Sequence, residues 1–163
     1  MLVHATQDPA PRPGPGTILT ALFAVNVLNY YDRQLLGASA EPLRHAFGLS
    51  DAQLGLLSTA FTLVYAAAGL PLGRLSDRLP RTRVLAIGVL AFSLCTALTG
   101  MAQGFASLLL CRVLVGIGEA SCAPAAALCA DLFPPQRRAR AMGVFMLGLP
   151  VGVALSFGIG GPL

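Results

Sequence analysis

Three stretches without a single charged residue, 52–73, 84–111 and 141–163, constrain everything this chain can fold into. A helix needs about 20 mostly apolar residues to cross the ~30 Å hydrocarbon core of a bilayer, and each stretch reaches that length. Two further segments, 17–39 and 105–130, are apolar apart from two charges each. Two charges in a segment of that length are too few for the charged face of a helix that lies on a membrane surface. The sequence therefore predicts an all-α, polytopic membrane protein with five spans, at about 17–39, 52–73, 84–103, 105–130 and 141–163. Composition agrees: 55% of residues are hydrophobic and 11% charged, with a mean hydropathy of +0.72. An ordinary soluble domain carries roughly a quarter charged residues, so a soluble globular protein is excluded.

Residues 1–16 lack the basic start and apolar core of a signal peptide and end in the helix-breaking run Pro9–Gly16. They read as a disordered cytoplasmic tail ahead of a transporter domain over 17–163. All eleven basic residues are arginines. Arg12 lies in the tail, Arg74, Arg78, Arg81 and Arg83 follow the second span, and Arg137, Arg138 and Arg140 precede the fifth; on the opposite side only Arg44 appears. The positive-inside rule places the first group in the cytoplasm and residues 40–50 outside, in an inner (plasma) membrane. The net charge of +4 is then an orientation signal, and no nucleic-acid partner is expected.

Cys95, Cys111, Cys122 and Cys129 fall inside spans with none of the Cys/His spacing a zinc site requires, so neither metal nor cofactor is expected. An enzyme is not expected either. Ser58, Ser93 and Ser121 have no histidine near them in the chain, because His4 and His45 lie outside the spans.

The informative residues are charges where lipid should be. A carboxylate or guanidinium near the bilayer centre costs about 2.5–3.5 kcal/mol on insertion scales unless it faces a partner or a water-filled cavity. Asp32, Arg33, Arg112 and Glu119 all incur that cost. At about 100° per residue, Asn29 shares a helix face with Asp32 and Arg33, and Asn26 and Tyr30 extend it. Arg112 and Glu119, two turns apart, form a charged stripe on the fourth span. Asp32 and Arg112 both fall in the outer half of the membrane and are candidates to pair. Glu119 lies deeper, among the small residues Gly116, Gly118, Ala120, Ser121 and Ala123, which let neighbouring backbones approach.

Four segments, in order, resemble the signatures of the major facilitator superfamily: NYYDR (Asn29–Arg33), GRLSDRLPRTR (Gly73–Arg83), RVLVGIGEA (Arg112–Ala120) and ADLFPPQRRARAMG (Ala130–Gly143). Their combination is similar to spinster-like transporters, with the anion:cation symporters as neighbours. The resemblance implies twelve spans in two six-helix halves, of which this chain would be the amino-terminal five, truncated before span six and lacking its carboxy-terminal helices. It also implies alternating access, with proton-coupled or facilitative movement of an amphipathic lipid-like solute. Carriage of small organic anions is the alternative, and a non-transporting assembly fragment the other. One departure is Pro80, which stands where the superfamily loop usually has glycine.

Two sets of residues carry the expected mechanism. Asp32 and Glu119 would carry protons, since burial favours a neutral acid and a nearby guanidinium favours its carboxylate. Arg33 and Arg112 would tune them, with Asn29 and Tyr30 beside them. The resemblance points to the same acids. A permanent Asp32–Arg112 bridge, or an arginine pair that binds an anionic headgroup, are the competing readings. A gating loop would comprise Gly73, Asp77, Arg78, Arg81, Arg83 and Asp131. Asp77 there would accept from Arg81 or Arg83, and Asp131 would offer Arg78 a partner.

Overall fold

The computed structural model describes residues 13–160, all of whose regular structure is helical. Eight segments follow one another: α1 (Pro15–Ala38), α2 (Ala40–Phe47), α3 (Asp51–Arg78), α4 (Arg81–Thr99), α5 (Phe105–Ala120), α6 (Pro124–Leu132), α7 (Pro135–Met146) and α8 (Gly148–Gly160). Four helices are long and apolar enough to cross a membrane: α3, α4, the composite of α5 and α6, and the composite of α7 and α8. With 24 residues α1 has the length, but its Asn, Asp and Arg residues dilute its apolar character.

Helices overrun the charge-free stretches. Of the expected tail, residues 1–12 lie outside the described residues, whereas Pro15 and Gly16 already belong to α1. Proline suits a first helical position, having a fixed φ and no N–H to leave unpaired. At the other ends, α3 continues through Arg74 to Arg78, and α7 begins at Pro135 and carries Arg137, Arg138 and Arg140. The arginine-rich connections thus shrink to Leu79–Pro80 and Phe133–Pro134. In both, the residue before proline is extended (Leu79 φ −112°, ψ 158°; Phe133 φ −117°, ψ 138°), because the proline ring bars it from the helical region. Pro80 itself caps α4, so this turn needs no left-handed glycine.

Two prolines break long helices. Pro124 has no N–H for a helical bond, and the turn before it tightens to i→i−3 bonds, Cys122 N–H donating to the Glu119 carbonyl at 2.9 Å. Pro150 follows the step between α7 and α8, where the Asn26 amide of α1 donates to the Phe145 carbonyl at 2.7 Å. On the opposite end of the bundle, the connection over 40–50 contains the short helix α2. It ends on Gly48, whose φ of +62° is the left-handed conformation glycine adopts without penalty. Ser50 then caps α3 in a reciprocal bond pattern with Gln53.

Packing is set by small residues. Helix α5 lies against both α3 and α4, and α1 against α8. Gly148, Gly152, Ser156 and Gly160 recur every fourth residue of α8, all buried. A Cβ on Gly152 would stand 2.5 Å from the Val27 carbonyl oxygen, so only glycine permits this approach. Gly118 admits Phe92 of α4 in the same way, and Gly116 meets the Phe61 backbone of α3. Leu70, Ile87 and Leu90 point outward and are exposed, as lipid-facing side chains should be.

Candidate functional site

Helix α1 buries one face: Leu22, Asn26, Asn29, Asp32 and Leu36. Helix α5 buries Leu108, Arg112, Val115 and Glu119 at three- and four-residue intervals. The two helices bring their charges together crosswise. Arg33 Nη2 donates to Glu119 Oε2 at 3.1 Å, and Arg112 Nη1 lies 4.0 Å from Asp32 Oδ2. Each acid therefore faces an arginine of the other helix. The Glu119 side chain is fully buried and those of Asp32 and Arg112 nearly so, whereas that of Arg33 is 26% exposed.

These pairs are incompletely satisfied. Asp32 Oδ2, Glu119 Oε1, Asn29 Nδ2, Arg33 Nε and Arg112 Nε are buried without a hydrogen-bond partner among the described residues. A buried ionised group with unfilled hydrogen-bonding capacity is costly.

Three aromatic rings surround Arg33. Its Cζ lies 4.4 Å from the Tyr65 ring centroid and 5.4 Å from those of Tyr30 and Phe61. Phe61 and Tyr65, one turn apart on α3, stack with centroids 6.1 Å apart. The sequence reading named Tyr30 but missed these two, although they are the only aromatic residues of α3 and share one face. Arg33 and Tyr65 separate two clefts: one lined by Asn26, Asn29, Tyr30, Glu119 and Met146, the other by Gln34, Ser58, Thr62 and Arg112. A third cleft joins Asp32 and Arg112 to Thr96 of α4, also missed.

In the expected gating loop, Arg81 is the connecting residue. It forms an ion pair with Asp131 and lies 3.9 Å from Asp77. The partner of Asp131 is thus Arg81 and not Arg78. The reason is position: Arg81 opens α4, which touches α6, whereas Arg78 closes α3, which packs on α5. Arg78 and Arg83 form no ion pair among the described residues. Gly73 is half-buried, and a Cβ there would meet nothing within 4 Å. The four cysteines are free thiols, and among the described residues no cluster of His, Cys, Asp and Glu could hold a metal.

The sequence profile of the Major Facilitator Superfamily matches residues 22–163. A probable L-galactonate transporter of Escherichia coli is 37% identical, matching 86% of this chain and 31% of its own length. Protein spinster homolog 1 of Xenopus laevis is 36% identical, over 88% of this chain and 28% of its own. Among solved structures, a bacterial homolog of the human lysosomal transporter Spinster, inward-facing and unoccupied, superposes with a TM-score of 0.87 at 38% identity. It covers 94% of this chain and 33% of its own. The chain spans about a third of the length of these relatives.

Proposed function

Because this chain belongs to the major facilitator superfamily, a family of multi-pass membrane transporters and not of enzymes, we propose that it serves a proton-coupled secondary transporter that works by alternating access. Five spans, with α1 as the first, carry the polar site, and further helices of the intact protein would complete the cavity. By the positive-inside rule the Leu79–Pro80 and Phe133–Pro134 connections are cytoplasmic and α2 lies outside, in the inner (plasma) membrane.

The observation that carries this reading is the crossed arrangement of Asp32–Arg112 and Arg33–Glu119. Protonation of Glu119 would release Arg33, and protonation of Asp32 would release Arg112. A freed guanidinium can then accept an anionic group of the solute. Loss of the proton on the other side would restore the pair and expel the solute. Asp32 and Glu119 are the proton-carrying groups on this reading, Arg33 and Arg112 their counter-charges and the headgroup ligands, and Asn29 and Tyr30 line the same cleft.

The solute class favoured is an amphipathic, lipid-like anion, which rests on the resemblance of the four signature segments to spinster-like transporters. A sugar acid is the second reading, favoured by comparable identity to the L-galactonate transporter and by the two inward arginines. Uptake by the intact gene product in proteoliposomes separates them. A labelled lysophospholipid, and not galactonate, should enter faster when the outside is acidic; equal rates with and without the gradient would remove proton coupling.

A further inference from the structure

We infer that a groove on the outer face of α5, between α3 and α4, binds an anionic glycerophospholipid with its phosphate on Arg83 and an acyl chain along the groove. The groove is lined by Leu72 and Leu75 of α3, Leu79 of the connection that follows it, Ile87 of α4, and Ile117 and Ser121 at its floor. Ile117 and Ser121 stand two residues either side of Glu119, about 160° round the helix from it. The groove therefore faces away from the polar site, with Ile87 and Ala91 exposed along it. Gly88 closes the floor, since a Cβ there would run into the Ser121 side chain.

Polarity inside the groove is nearly absent, because the Ser121 hydroxyl is already used in donating to the Gly118 carbonyl at 2.5 Å. One charge stands at its end. Arg83 is exposed and forms no ion pair among the described residues, while its neighbour Arg81 is engaged by Asp131 and Asp77. An apolar channel ending at an uncommitted guanidinium complements a hydrocarbon chain ending at a phosphate. A zwitterionic lipid brings its own cation to that position and fits less well. The site is independent of proton coupling and needs only that the helices span the membrane.

The test uses the intact protein, stripped of lipid and titrated with phosphatidylglycerol or phosphatidylcholine of identical chains, with bound lipid counted by native mass spectrometry. Phosphatidylglycerol should be retained in preference, and Arg83→Ala should lower its retention about fivefold, the effect of one basic residue at an anionic headgroup. Arg74→Ala, on the far side of α3 from Leu72, should leave retention unchanged. Ala91→Phe, which fills the groove, should reduce retention with Arg83 intact. Equal retention of the two lipids, or equal losses from Arg83→Ala and Arg74→Ala, would overturn the site. A nitroxide at Ile87 should be accessible to membrane-dissolved oxygen; shielding there would mean that a protein segment covers the groove, which also overturns it.

Discussion

Replacing Tyr65 by leucine removes the ring face nearest the Arg33 guanidinium while keeping an apolar side chain in the cleft. A cation over an aromatic ring is worth about 0.5–1 kcal/mol when exposed and about 2 when desolvated. Arg33 is 26% exposed and 4.4 Å from the Tyr65 centroid, but Phe61 and Tyr30 also hold it. The share of Tyr65 should therefore be about 1 kcal/mol, between the two limits. A double-mutant cycle of Tyr65→Leu with Arg33→Gln, read from reversible unfolding in mixed micelles, isolates that coupling. Tyr65→Phe keeps the ring and should retain most of it. A leucine coupling within the additivity scatter of about 0.3–0.5 kcal/mol would refute the stacking role. A phenylalanine variant as impaired as the leucine one would move the effect to the hydroxyl.

Gly152→Leu should destabilise the α1–α8 contact by about 1–3 kcal/mol, as overpacking does, while Gly158→Leu, which meets open space, should be nearly neutral; equal unfolding midpoints would contradict the close approach. Arg81→Ala should shift the ratio of inward- to outward-open molecules by up to about fivefold, as fits a partly exposed ion pair, and Arg78→Ala should not. Spin-label distances across the bundle report both, and an unmoved ratio in Arg81→Ala would leave the connection as an anchor only. Cysteines at Glu41 and Thr82, both exposed, should react with an impermeant thiol reagent from opposite faces of the membrane; labelling from one face would invert the topology.

How much of this was legible in the sequence depends on what kind of signal each feature leaves. Charge-free runs reveal spans because desolvation depends on composition alone. Helix ends were missed for the same reason: Arg74, Arg78 and Arg137 are good helix formers, so hydrogen bonding continues where apolarity stops. Asp32, Arg33, Arg112 and Glu119 stood out against their apolar surroundings, and depth along the spans made Asp32 and Arg112 candidates to pair. The Arg33–Glu119 pair was not foreseen, because seven residues separate Arg112 from Glu119 and only the reach of the arginine side chain decides which acid it meets. Tyr65 and Phe61 left only a faint signal, two aromatics one turn apart on α3, because a ring in an apolar run looks like lipid contact. The breaks at Pro124 and Pro150 went unread, because each lies in an apolar run that composition alone reports as one span, and the carbonyl that Asn26 binds on Phe145 is visible only once the helices are packed.

The most direct measurement is transport by Asp32→Asn and Glu119→Gln in the intact protein, assayed two ways in the same proteoliposomes. Uptake driven by a pH gradient requires a proton to be taken on one side and released on the other; counterflow of labelled against unlabelled solute requires only binding and reorientation. If Asp32 and Glu119 carry the protons, each neutral variant should lose gradient-driven uptake and keep counterflow, and Arg112→Ala should weaken solute binding in both assays. Full gradient-driven uptake in both neutral variants would mean that the crossed pairs hold the helices together and that the protons travel elsewhere.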